Sequence, residues 1–417
     1  MSRALPSGTV RSVLAPTSVL VSFLSALGAI NFADRAVIGL AGPAIIAEMH
    51  LSAAQWGLVG SSFFLLFSLS SLVVTSWSDF VGTRKILALL AVVWSLVQLA
   101  ALVIPSFLPL LISRIVLGAG EGPYYGTTTS AASRQIVPAQ RGFVFALITL
   151  GPALGPALLS PLLAVLLVTF SWRATFALLG VIGVVWALSW LLVTRERQKD
   201  GTVQQQIPWK TLFSLLWTPG VLFPILASFA SYWYVALPIS WVPVYYVQVW
   251  RLPQNSALYV LAIGLPWLMA GIMQVGVGWL SDRLFKRGGS RLRVRVLSIT
   301  LLIGALLLAG AARAPSLPLA ILCLSLTPLG ATFPLTIALL ADLTPTSYQG
   351  TFLGLGVAIA SLAGLIAPVV TGLLIQRATS PLVGFQLAYL VAGCFIACCS
   401  GLCWLFVRPT SQQSVTA

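Results

Sequence analysis

Four charged residues interrupt stretches of this chain that are otherwise apolar. Asp34 and Arg35 stand near the end of the first stretch, and Arg114 and Glu121 stand in the fourth. A charge at membrane depth costs about 2.5–3.5 kcal/mol even on lenient insertion scales, so such residues mark paths for ions, protons or charged solutes. A guanidinium suits a carboxylate, which it grips through two parallel hydrogen bonds. An acid kept from water favours its neutral form and can carry a proton near neutral pH. Arg114 and Glu121 are seven residues apart, which on a helix is about two turns and ~10 Å. They are too distant to pair directly but can line one cavity. Asp34 and Arg35 are adjacent, so their side chains point about 100° apart. One can face a neighbouring helix while the other faces the cavity. Two acids and two bases sum to zero, and an entering anion favours protonating one acid. The chemistry on offer is the joint movement of an anion and a proton.

The elements that hold these residues read as membrane helices. Hydrophobic residues make up 59% of the 417 and charged residues 7%, with a mean hydropathy of +1.00. Soluble domains carry about 25% charged residues. A span needs about 20 apolar residues. Apolar runs separated by turn and charge signals predict twelve spans, at 16–41, 54–76, 86–104, 107–131, 142–168, 174–194, 220–247, 255–280, 295–312, 317–340, 350–376 and 383–406. Pro152, Pro156 and Pro161 in the fifth and Pro238 and Pro243 in the seventh predict kinks.

The basic residues test this layout. With the N-terminus in the cytoplasm, 17 of the 23 Lys and Arg fall in cytoplasmic segments and 4 in outer loops, with Arg35 and Arg114 inside spans. That is a strong positive-inside bias, and it places both termini in the cytoplasm. The formal charge of +15 is spread over short loops, so no nucleic-acid partner is expected. The polar stretch 195–219 divides the chain into two six-span units, 1–194 and 220–417. The expected fold class is therefore an all-α integral membrane protein of twelve helices in two bundles.

The five cysteines lie in apolar runs without His or carboxylate companions and read as packing residues. No cofactor and no metal is expected. No nucleophile–base set or phosphate loop is present, so the chain does not read as an enzyme. His50 lies in an outer loop and reads as a solvated surface residue.

The two units also repeat. Ser78-Asp79 after the second span and Ser281-Asp282 after the eighth lie 203 residues apart, close to half the chain. Secondary transporters of this kind carry solute near the midplane, between the repeats. Twelve spans, the repeat, and Asp79-(x)2-Gly82-x-Arg84-Lys85 resemble the major facilitator superfamily over about residues 16–406. Within it the chain is similar to the anion:cation symporters. The segments carrying this are Asn31-Phe32-Ala33-Asp34-Arg35, Trp56 to Phe64, Arg114 to Gly122, Ser171 to Phe176 and Phe333 to Leu339.

The resemblance implies proton-coupled uptake of a small organic anion, a carboxylate, by alternating access through the inner membrane, by a monomer. It implies that Arg35 contacts the anion, that Asp34 and Glu121 take the proton, and that Arg114 pairs with the first span. Asp79, Arg84, Asp282, Arg283 and, by analogy, Asp342 are the expected gate residues. Other candidate substrate contacts are Tyr234, Trp241, Gln274 and Ser361, within a wider polar set of Tyr232, Tyr245, Tyr246, Thr332 and Thr336.

Four departures point one way. Phe32 and Phe67 replace frequent tyrosines of the sugar-acid relatives, and Val357 and Ser361 replace frequent asparagines. An unmade buried hydrogen bond costs about 1–3 kcal/mol, so the expected substrate is a less hydroxylated anion: a small mono- or dicarboxylate or an aromatic carboxylate. Gly151-Pro152-Ala153-Leu154-Gly155-Pro156 partly matches an antiporter motif, but Leu159 replaces its last glycine. It leaves proton-antiporting export of drugs or metabolites as the alternative.

Overall fold

The computed structural model describes residues 17–135, 148, 155, 158–194, 209–344 and 349–408. The helices are α1 (Thr17–Met49), α2 (Ala53–Val81), α3 (Thr83–Ala100), α4 (Phe107–Glu121), α5 (Tyr124–Gln135), α6 (Leu158–Thr169) and α7 (Trp172–Val193). After them come α8 (Trp209–Leu216), α9 (Pro219–Ser240), α10 (Val242–Gln248), α11 (Ala257–Ala312), α12 (Leu317–Ser325), α13 (Leu329–Leu343), α14 (Gln349–Arg377) and α15 (Pro381–Phe406). Among the described residues nine helices are long and apolar enough to cross a membrane. One of these, α11, is two helices joined at a kink at Gly288–Gly289. Two further crossings are interrupted or short: α4 with α5, and α6. Together they make the twelve expected crossings.

Backbone groups within a bilayer must be satisfied internally, which selects helices. The side chains follow the same logic. Leu58, Leu65, Leu69 and Val73 are exposed along one stripe of α2, at spacings that keep one helix face toward lipid. The opposite stripe, with Trp56, Phe63, Phe64 and Phe67, is buried.

Three breaks shape the interior. Pro123 lacks the N–H a continuous helix requires, so the last hydrogen bond of α4 runs from Gly122 N–H to the Gly118 carbonyl at 2.9 Å and the helix resumes in α5. Pro243 has the same effect in the seventh crossing, where α9 ends at Ser240 and α10 restarts at Val242. The tenth crossing breaks at Leu326–Pro328. The expected kink of the seventh span is thus present, whereas Pro152 and Pro156 lie outside the described residues.

Two sequence boundaries shift. The first crossing runs to Met49 as a 33-residue helix, so Asp34 and Arg35 lie near its middle rather than its end. The ninth begins before Val294, and Arg293 is buried at 7% exposure where a solvated loop was expected. Within the expected linker 195–219, residues 209–216 form α8.

The turns at one end of the bundle include His50, which is exposed and has φ 51°. The turns at the other end include Gly82. At the His50 end the two bundles close on each other. Trp56 Nε1 donates to the Ser240 carbonyl at 2.9 Å, and Trp241 Nε1 to that of Pro368 at 3.1 Å. Ala54 N–H donates to Gln376 Oε1 at 3.0 Å. α1 and α9 touch at backbone distance: a Cβ on Gly39 would stand 2.1 Å from the Ile239 oxygen. The antiparallel α2–α14 contact runs through Phe64 against Gly364 to a hydroxyl contact between Ser68 and Ser361. Toward the Gly82 end, Gly354 has no atom within 4 Å of a built Cβ. The two bundles are thus closed on each other at the His50 end.

Candidate functional site

The midpoint charges converge. Arg35 Nε, from α1, donates to Glu121 Oε2, from the broken end of α4, at 2.9 Å. Glu121 is fully buried and Arg35 is 6% exposed. The α2–α4 contact makes this possible. A Cβ on Gly118 would lie 1.7 Å from the Phe63 carbonyl oxygen, so only glycine lets α4 come close enough to bring Glu121 under α1. The same approach carries the rings of α2 to the charges. The Arg35 guanidinium stands 4.8 Å from the Phe32 ring, 5.2 Å from Phe63 and 4.8 Å from Phe67. Arg114 stands 5.2 Å from the same Phe63 ring. One ring therefore lies against both guanidinia, where its π-face attracts cations.

Asp34 points away from Arg35, as adjacent helical positions require. It is 1% exposed, the charges of Glu121, Arg114 and Arg35 act on it, and neither its Oδ1 nor the Nε2 of Gln98 on α3 has a hydrogen-bond partner. Among the described residues Arg114 makes no direct ion pair with α1, although the charge of Asp34 acts on it; the ion-pair partner of Glu121 is Arg35. Arg114 is 3% exposed, and its Nε and Nη1 have no hydrogen-bond partner. The buried amide of Asn31, one turn before Asp34, faces Glu121 without a completed hydrogen bond.

A narrow slot of about 10 Å³ lies against this cluster, lined by Arg35, Ile38, Gly60, Phe63, Phe64, Arg114, Ile239 and Ser240. Ligand pockets run to about 300–1,000 Å³, so the slot is the floor of a site whose walls must part to admit a solute. It lies where α1, α2 and α4 meet α9, between the two bundles. A larger cavity of about 320 Å³ at the His50 end, lined by Leu40, Trp172, Gln254 and Tyr259 among others, holds none of the four charges.

The remaining candidates scatter. Ser361 meets Ser68 across the bundles. Trp241 packs into the closed end through its bond to Pro368. The Tyr234 hydroxyl donates to the Leu324 carbonyl at 2.9 Å within the C-terminal bundle. Gln274 is exposed on α11. Thr332 and Thr336 are hydrogen-bonded to Ser231 and to Ser228 of α9. Tyr232 faces the site more directly, with its ring edge-on to Phe64 at 6.1 Å and to Phe333 at 5.6 Å.

At the Gly82 end, Arg84 donates to the Leu191 carbonyl at the last turn of α7, a favourable place for a cation. The Asp79 side chain lies outside the described residues. Asp282 pairs not with Arg283, which lies over Trp279 at 5.2 Å, but with Arg293 at 2.8 Å. Arg293 also pairs with Asp342 at 2.5 Å and lies over Phe285 at 4.2 Å. Arg293 thus ties both arms of α11 to the end of α13. Arg293 carried no distinguishing signal in the sequence, because Arg291 and Arg295 flank it and Arg287 is near. Nor did Gln98, Ser228 or Ser231, which are neutral residues in apolar runs.

The chain matches the Major Facilitator Superfamily over residues 24–327 and 288–417. It is 29% identical to the hexuronate transporter of Bacillus subtilis over 407 residues, 94% of each chain. It is also 29% identical to a probable sulfoacetate transporter of Cupriavidus necator over 411 residues, 91% of each, and to the chloroplastic ascorbate transporter of Arabidopsis thaliana over 371 residues, 82% of this chain and 67% of that one. Among solved structures, a bacterial homologue of the human lysosomal transporter Spinster, inward-facing and occupied, superposes with a TM-score of 0.79 at 19% identity, covering 93% of this chain and 96% of that one. A D-xylose–proton symporter gives 0.75 at 16% identity, covering 94% and 98%. The chain belongs to the major facilitator superfamily, as a multi-pass membrane transporter of twelve helices and not an enzyme.

Proposed function

We propose that this protein takes up a small organic anion together with protons, by alternating access. The observation that carries this reading is the buried Arg35–Glu121 pair at the slot between the bundles. A carboxylate that reaches Arg35 competes with Glu121 for the same guanidinium. A buried charge deprived of its partner costs about 3–5 kcal/mol, and a proton removes that charge from Glu121. Anion binding and protonation then favour each other, with Asp34 as a second acid on the far side of Arg35. Three relatives, named for hexuronate, sulfoacetate and ascorbate, agree with an organic anion as solute.

The lysine and arginine bias assigns the Gly82 end, with both termini, to the cytoplasm of an inner membrane. On that orientation the closed His50 end faces outward, which fits an inward-facing state. The moving bodies are residues 1–194 and 220–417, joined by 195–219, and Arg84, Asp282, Arg293 and Asp342 brace helix ends at the cytoplasmic gate.

The test is uptake by purified protein in liposomes, neutral inside and acid outside, across a panel of labelled organic acids. Accumulation that a protonophore abolishes supports symport. Accumulation driven by acid inside would instead favour antiport.

A further inference from the structure

The slot narrows the class of anion, an inference that rests on the organic-anion reading above. Apart from Arg35, Arg114 and the Ser240 hydroxyl, every side chain lining it is apolar. Tyr232 extends the wall, meeting Phe64 and Phe333 edge to face. Three hydroxyls of α9 that could read a polyol, those of Ser228, Ser231 and Tyr234, are already engaged. Ser231 is bonded to Thr332, Ser228 to Thr336, and Tyr234 to the Leu324 carbonyl. A sugar acid would bring several hydroxyls to a surface that offers them almost no partners.

The charges are arranged just as unevenly. Arg35 Nε is occupied by Glu121, whereas Arg114 lines the slot with Nε and Nη1 unpartnered at 3% exposure. A buried guanidinium with open donors calls for an acceptor. The Phe63 ring lies against both guanidinia, so it is fixed beside the point where that acceptor must arrive. Phe64 meets Phe63 edge to face at 5.0 Å. Edge-to-face and offset contacts are the arrangements aromatic rings prefer, and a planar body can add one more to this set. The two acids and two bases are balanced, so a single negative charge with a single proton restores neutrality.

We propose that the site takes an aromatic monocarboxylate, with its carboxylate shared between the open donors of Arg114 and the guanidinium of Arg35 and its ring against Phe63, Phe64 and Tyr232.

The experiment is calorimetric binding to the full-length protein in lipid nanodiscs, with benzoate, acetate and glucuronate as probes. Benzoate should bind at least about tenfold more tightly than either other acid, the scale a hydrophobic pocket gives. Phe64→Leu should cut benzoate affinity about tenfold while leaving acetate within about twofold. Tyr232→Leu, on the opposite wall, should shift the same ratio in the same direction. Arg114→Lys should weaken benzoate and acetate alike, because an ammonium lacks the planar fork. Glucuronate binding as tightly as benzoate would overturn the proposal while leaving an organic-anion site intact. An unchanged benzoate-to-acetate ratio in both aromatic variants would overturn it as well. Failure of all three acids to bind would remove the organic-anion reading itself.

Discussion

Arg35 and Glu121 lie 86 residues apart in sequence and 2.9 Å apart in space, joining the middle of α1 to the point where Pro123 breaks the fourth crossing. The bond is buried, and the rings of Phe32, Phe63 and Phe67 cover the guanidinium. It therefore has little water to compete with, and its state couples directly to whatever anion reaches Arg35.

The pair should behave as a unit in stability. Arg35→Met or Glu121→Leu alone should each cost about 3–5 kcal/mol, since each leaves a buried charge without its partner. The double variant should recover most of that loss while losing transport. Thermal unfolding in detergent measures this, and a double variant as unstable as the sum of the two singles would mean the residues act separately.

Backbone contact between α2 and α4 should tolerate no side chain at Gly118. Gly118→Ala places a methyl 1.7 Å from the Phe63 oxygen, so α4 must shift, at about 1–3 kcal/mol or more. The melting temperature should fall, and apparent substrate affinity should fall with it, because Phe63 sets the position of both guanidinia. A variant with wild-type stability would show that the helices pack otherwise.

Much of this site is legible in the sequence, for a physical reason. Charges in apolar runs are costly enough to stand out, so Asp34, Arg35, Arg114 and Glu121 announce themselves. Their pairing does not, because Arg114 and Glu121 share a helix while the partner of Glu121 comes from another crossing and is selected by the Gly118 contact. Phe32 and Phe67 are visible as missing hydroxyls, but only packing reveals them, with Phe63, as a cover over Arg35. Arg293 is hidden in the opposite way, as one cation in a run of them, and only its burial between Asp282 and Asp342 separates it. The helices themselves follow from hydropathy, whereas α1 runs on through Gly42-Pro43, a break signal that packing overrides, and the early start of the ninth crossing depends on the burial of Arg293.

The two acids on Arg293 should differ in weight. The Asp342 side chain is 17% exposed and that of Asp282 72%, and exposed ion pairs contribute only about 0–1 kcal/mol. Asp342→Asn should therefore slow uptake and lower stability clearly more than Asp282→Asn. Equal effects of the two would argue against Arg293 as a buried brace on α13.

Ser68 and Ser361 join α2 to α14, and so one bundle to the other, through their hydroxyls. In Ser68→Cys/Ser361→Cys the thiols should cross-link on oxidation, stop transport, and release it on reduction. Full turnover by cross-linked protein would exclude separation of the bundles at this point.

The most direct test of the central claim is Glu121→Gln in proteoliposomes, assayed for gradient-driven uptake and for counterflow of the same organic acid. Gln keeps the shape of the protonated acid and can no longer exchange a proton. The account predicts that accumulation driven by an acid exterior is lost while counterflow persists. Wild-type accumulation under a proton gradient would contradict it.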